Sequence, residues 1–267
     1  MIINLSREGI FPLVDDNGIS STGWTFPGTI QGEGKLCGIP SIFIRTQGCN
    51  LHCKWESVDE NGNRIVVPCD TSHAISTTHG SAADVDAVAK SVIEQCHSSN
   101  VRHVVLTGGE PLLQAEASTE LLRLLYQEGL HTTVETNGSY CIPEALKYIS
   151  LLSISPKFIY SWDNMPNNYI GSVADSINVL RSYPNRDFQL KFVVSKYDDE
   201  QPILDKLSLL KQNTSYIQNS DILLMPMGGS KTQIEKTSLI AAEIAVKNGW
   251  RYTPRLHVDL WNNKERT

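Results

Sequence analysis

A chain of 267 residues, 40% apolar and 19% charged, has the length and composition of a globular protein able to bury a full core. A formal charge of −6 with no long block of Lys or Arg excludes a broad electrostatic grip on nucleic acid. No apolar run reaches the ~20 residues that span a bilayer, and "MIINLSREGIFPLV" has no basic stretch leading into an apolar core and cleavage site, so a cytoplasmic protein without membrane partners is expected.

In chain order, short β-branched runs alternate with longer helical patterns. Strands are predicted at 41–47 ("SIFIRTQ"), 102–108 ("RHVVLTG"), 131–136 ("HTTVET"), 151–155 ("LLSIS"), 189–195 ("QLKFVVS") and 221–227 ("DILLMPM"). Helices are predicted at 82–97 with Ser81 as N-cap, at 112–128 between Pro111 and Gly129, and at 143–149, 199–211 and 232–247. Residues 164–183 read as a loop through "MPNNY" followed by a short helix at "NVLRSY". This alternation predicts an α/β fold with a mostly parallel sheet. Six repeats are too few for an eight-fold barrel, so a partial barrel or an open wound sheet is expected, as one domain over 1–267. Both architectures place their chemistry at the C-terminal ends of the strands. There the sequence has "QGC", "TGGEP", "ETNGS", "SPK" and "MPMGG", which would line one rim.

Six cysteines are too sparse for a disulfide scaffold. Cys37, Cys96 and Cys141 are isolated and read as small apolar side chains. Cys49, Cys53 and Cys69 share a polar loop, and clustered thiolates suit zinc or an iron–sulfur cluster. A zinc site needs a fourth ligand, for which His52 and His73 are nearest. A cubane held by three cysteines instead leaves one iron open to a small chelating molecule. Between Cys53 and Cys69, the turn signal in "DENGNR" and the strand-like "IVV" predict a hairpin inserted at 56–68.

"TIQGEGKLCGIPSIFIRTQGCNLHC", "CDT", "TGGEP", "ETNG", "SPK" and "PRLHVDLW", in that order over residues 24–261, resemble the 7-carboxy-7-deazaguanine synthases of the radical S-adenosylmethionine (SAM) superfamily. The common superfamily spacing is C-x3-C-x2-C; here it is C-x3-C-x15-C. Glu56 stands where an ungapped third cysteine would fall, and Cys69, beside Asp70 and Thr71, is the better ligand.

The resemblance implies a partial parallel β/α barrel of about six strands, with a 4Fe-4S cluster on Cys49, Cys53 and Cys69 whose fourth iron is reserved for SAM. It implies Mg2+ on Thr71, and SAM against Pro68, Asp70, Gly108, Gly109, Glu110, Asn137, Ser155, Pro156, Lys157, Met225, Pro226, Met227 and Gly228, with Glu110 accepting from the SAM ammonium. It assigns the substrate, 6-carboxy-5,6,7,8-tetrahydropterin, to Ile30, Gln31, Gly32, Glu33, Arg45, Thr107, Glu135 and His257. Gln31 and Glu33 suit the donors and acceptors of a pterin edge, and Arg45, charged within an apolar strand, suits a carboxylate. The implied reaction is ring contraction to 7-carboxy-7-deazaguanine with loss of ammonia, as in queuosine-type biosynthesis. A flavodoxin or ferredoxin donor and a homodimer follow from the same resemblance. A radical SAM activase acting on another protein and a zinc-stabilised binding protein are the alternative readings.

Overall fold

The computed structural model describes residues 1–58, 64–76, 80–157, 166–262 and 264–267. The strands are β1 (Ile2–Phe11), β2 (Thr29–Ile30), β3 (Pro40–Thr46), β4 (Lys54–Val58), β5 (Arg64–Pro68), β6 (Ser81–Asp84), β7 (His103–Gly108), β8 (His131–Thr136), β9 (Leu151–Ile154), β10 (Asp187–Val194), β11 (Ile222–Pro226) and β12 (Arg251–Tyr252). The helices are α1 (Val85–Ser99), α2 (Ala115–Gln127), α3 (Pro143–Leu146), α4 (Tyr169–Arg181), α5 (Glu200–Asn213), α6 (Lys231–Asn248) and α7 (Leu256–Trp261).

All six strands predicted from the sequence are present, as β3, β7, β8, β9, β10 and β11, and adjacent members of this series pair in parallel. With β12 beyond β11 and antiparallel β1 and β6 beyond β3, they make a ten-stranded sheet in the order β12-β11-β10-β9-β8-β7-β3-β1-β6, with β2 on β3. This is the partial parallel β/α barrel expected from the sequence. Its strands are buried on both faces, which is why β7, β9 and β11 are nearly continuous apolar runs. Alternate residues divide between the two faces. Ile42, Ile44, Val104, Leu106, Val134, Leu152, Leu190 and Phe192 join the core, and Phe43, Arg45, Thr107, Glu135, Ser153 and Lys191 face a cavity inside the barrel.

Several local differences separate structure from sequence expectation, the short β2, β12 and α7 among them. Residues 81–84 pair with β1, so α1 begins three residues late and Asp84, not Ser81, caps it by accepting from the Asp86 and Ala87 amides. The helix expected at 143–149 is only Pro143–Leu146. The segment read as a loop and short helix contains a full helix, α4, whose Val173, Ala174, Ile177 and Leu180 pack into the core. β1 was not anticipated: Ile3 and Leu5 are buried, but Ser6-Arg7-Glu8-Gly9 breaks their alternation.

β4 and β5 form a separate antiparallel ladder, from Lys54–Pro68 to Val58–Arg64. The Asn-Gly turn signal at 61–62 lies outside the described residues. Among the described residues, no helix is long and apolar enough to cross a membrane.

Candidate active site

The parallel register sets one polar row across the barrel: Arg45 pairs with Thr107, and Ser153 pairs with both Glu135 and Gln189. Of this row, Arg45, Thr107, Glu135 and Ser153 line a cavity of about 260 Å3 at the C-terminal ends of the strands. Every site residue expected from the sequence lines that cavity except Glu110, Pro156 and Pro226. The two prolines fall out by strand alternation: Ser155 and Lys157, and likewise Met225 and Met227, point inward, and the proline between each pair points away.

At one end of the cavity lie Cys49, Cys53 and Cys69. Cys49 leaves β3, and its loop is stitched down by bonds from the Gly48 amide to the Ala74 carbonyl (2.7 Å) and from the Cys49 amide to the Ile75 carbonyl (3.2 Å). The Cys69 amide donates to the Cys53 carbonyl (3.1 Å), so the two cysteines face each other across the base of the hairpin. Burial, reinforced by Glu110 and the other two thiols, pushes Cys49 up to about 11. A bound cation is what would ionise such a thiol. Three soft donors in one cavity, with no fourth cysteine beside them among the described residues, fit an iron–sulfur cubane with an open position. They do not fit Cys3His zinc: His52 is exposed and off the cavity, and His73 Nε2 lies 3.2 Å from Glu8 Oε2. Among the described residues, no three His, Cys, Asp or Glu side chains are grouped to hold a single ion.

The Thr71 hydroxyl lies 3.3 Å from Cys69 Sγ and 3.5 Å from the Gly108 carbonyl. Gly108 and Gly109 allow a close backbone approach, and what approaches is the cysteine loop itself. A Cβ on Gly108 (φ +139°) would sit 2.2 Å from the Thr46 carbonyl oxygen, and one on Gly109 2.2 Å from that of Gly48. Glu110 lies behind the cavity wall. Fully buried, its carboxylate accepts from the Leu112 amide (3.0 Å), the Thr136 hydroxyl (2.8 Å) and the Asn137 amide (2.7 Å). Burial raises it to about 7 despite these bonds. It clamps the end of β7 to the end of β8 from behind the wall.

The same cavity is lined by a buried charge network. Glu33 is paired with Lys191, with Arg255 Nε (3.0 Å) and, at 3.9 Å, with His257. Burial alone would raise Glu33, but Lys191, Arg255 and His257 outweigh it and hold the carboxylate far below its usual range. Arg255 also binds Asp70 (2.8 Å) and the Gly228 carbonyl, joining the segment after Cys69 to the end of β11. Gly32 is required here because a Cβ would lie 2.1 Å from His257 Nδ1. Glu135 accepts from the Thr107 hydroxyl (2.9 Å) and the Gln31 amide (3.2 Å), with Lys191 at 3.9 Å. Arg45 is paired through Nε with Glu8. Lys157 donates to Ser155 Oγ (2.8 Å) and sits 5.5 Å above the Trp55 ring on the hairpin.

The radical SAM superfamily model matches residues 43–157, the stretch that carries all three cysteines and "TGGEP". Over 250 residues, covering 90% of both chains, the sequence is 36% identical to 7-carboxy-7-deazaguanine synthase of Halobacterium salinarum. The chain belongs to the 7-carboxy-7-deazaguanine synthase family. The Rhodopirellula baltica member is 29% identical, over 89% of this chain and 85% of its own. The crystal structure of QueE from Escherichia coli shares the fold, with TM-score 0.57 and 21% identity, over 96% of this chain and 95% of that one. The cysteine spacing is that of an enlarged C-x3-C-x15-C cluster loop, and the β4–β5 ladder lies within its extra length.

Several cavity residues were not anticipated from the sequence: Trp55, Ser153, Lys191 and Arg255. Lys191 was signalled by "QLKFVV", where a lysine alternates with strongly apolar neighbours in a buried strand. Arg255 stands inside the family-like "PRLHVDLW", two residues before His257.

Proposed function

We propose that this chain converts 6-carboxy-5,6,7,8-tetrahydropterin to 7-carboxy-7-deazaguanine with loss of ammonia. One observation carries the reading: a single cavity is lined both by three thiols and by a preorganised charge network. Cys49, Cys53 and Cys69 hold a 4Fe-4S cluster, which together with SAM supplies, when bound, the radical that abstracts hydrogen.

The protein's own part is position and charge. Arg45 takes the substrate carboxylate through its terminal amino groups. Glu135, with Gln31 locked to it, and Glu33, held ionised by its three basic neighbours, read the pterin edge; Thr107 and His257 complete that wall. Ser155, Lys157, Asn137 and Asp70 give SAM polar contacts, while Met225, Met227 and Trp55 give it apolar surface and exclude water. Thr71 supplies a magnesium oxygen, the metal keeping most of its waters. A flavodoxin or ferredoxin donates the electron, the active species is a homodimer, and residues 1–267 act as one domain with the hairpin as its insertion.

The test is anaerobic reconstitution with iron and sulfide, then incubation with SAM, reductant, Mg2+ and carboxytetrahydropterin. Formation of the deazaguanine is expected. SAM cleavage without that product would reject the substrate, and a protein that takes up zinc but no iron would reject the chemistry.

A further inference from the structure

Glu8 is a buried carboxylate on a strand that otherwise serves only to extend the sheet. It is aimed by an irregularity in the ladder. Between the pairs Leu5–Thr46 and Ile10–Ile44, β1 advances five residues and β3 only two. The extra length bulges opposite Arg45, and Gly9 takes the left-handed conformation (φ +60°) that such a bulge requires. Glu8 Oε2 there meets two partners: Arg45 Nε and, at 3.2 Å, His73 Nε2.

Arg45 is thereby held on two sides, by Glu8 at Nε and by the Phe11 ring 5.2 Å from Cζ, with Phe11 stacked on Phe43 at 5.4 Å. Its terminal amino groups remain as the donors for a bidentate carboxylate. His73 belongs to the turn Ser72–Ala74 that directly follows Cys69, Asp70 and Thr71. One carboxylate thus touches both the arginine at the substrate end and the segment that carries a cluster cysteine.

We propose that Glu8 is a positioning residue that fixes Arg45 for the substrate's carboxylate and holds it in register with the Cys69–Thr71 segment. The inference rests on the function proposed above. An arginine left without Glu8 is free to rotate about its side chain, and the fork geometry that distinguishes a carboxylated ligand from one without the group is lost.

The experiment is equilibrium binding to the reconstituted holoenzyme with SAM and Mg2+ but no reductant. The ligands are 6-carboxytetrahydropterin and the same ring lacking the 6-carboxylate. Wild-type enzyme prefers the carboxylated ligand. Glu8→Gln is expected to weaken that ligand about tenfold or more while leaving the other within about twofold. Arg45→Met loses the same preference, and adding Glu8→Gln to Arg45→Met weakens binding no further. If Glu8→Gln does not fold, Glu8→Asp, which keeps the charge but shortens its reach, must show a smaller loss of the same selectivity. A Glu8 variant that weakens both ligands equally, or neither, overturns the assignment. Wild-type protein indifferent to the carboxylate would instead overturn the function on which it rests.

Discussion

Strands β3, β7 and β8 carry two polar clusters, four residues or fewer apart along each strand, and the clusters are built on opposite principles. Toward the N-terminal ends, His103 is buried with Nδ1 2.7 Å from Ser41 Oγ, Nε2 2.7 Å from Thr133 Oγ1, and the His131 ring 5.1 Å away. Both ring nitrogens have partners, and burial, with His131 adding to it, pushes His103 down to about 3, so the ring is neutral. Toward the C-terminal ends, Arg45, Thr107 and Glu135 are charged or hydrogen-bonded into a cavity wall that still offers donors and acceptors. A closed neutral network fixes the fold. An open charged one has capacity left for a ligand.

Breaking each cluster should therefore give a different signature. The largest effect is expected at the thiol end: Cys69→Ala should abolish the cluster's visible absorbance and all turnover, while Cys96→Ala, in the core under α1, retains both. Spectra after reconstitution compare the two directly.

Next is Lys191→Met, which leaves Glu33 and Glu135 without their shared ammonium in a buried site. Removing one partner of a buried pair costs about 3–5 kcal/mol, read from urea unfolding. Glu33 itself makes the fold acid-sensitive: its carboxyl is held below its unfolded value, so its stabilisation is full above the usual carboxylate range and is lost as pH falls below it.

His103→Ala takes the ring partner from the Thr133 hydroxyl, while Ser41 Oγ keeps its bond to the Ile39 carbonyl (2.8 Å), at about 1–3 kcal/mol, with substrate affinity unchanged. The pH dependence sharpens the contrast. Because His103 titrates lower folded than unfolded, the unfolded chain binds the proton first, and stability declines as pH drops from 6.5 toward about 3. His103→Gln should flatten that slope.

The smallest effect belongs to the outer face of the hairpin. Val66 is 63% exposed, and Val66→Thr should change stability by no more than about 0.5 kcal/mol and leave activity intact.

The parallel core was legible because a strand buried on both faces must be written in Val, Ile and Leu, and the rim motifs follow directly on those strands. β1 was not, because Ser6, Arg7, Glu8 and Gly9 form a bulge whose purpose is to meet Arg45 and His73, and no local pattern encodes a partner on another strand. The bonds of Glu110 were hidden for a related reason: its motif places it at the end of β7, but its partners lie at the end of the neighbouring strand. Lys191 and Arg255 were visible as charges, yet their meaning depends on Glu33, far away in the chain.

The bond from the Cys69 amide to the Cys53 carbonyl has a further consequence. Because the chain leaves and re-enters across one rung of a ladder, the two cysteines are spatial neighbours however long the excursion between them. The insertion behaves as a plug-in module: residues added or removed in cross-strand pairs would alter its height without moving its footings. In engineering terms, the rung at Lys54 and Pro68 is a fixed footing that keeps the spacing of Cys53 and Cys69 independent of the sequence separation between them.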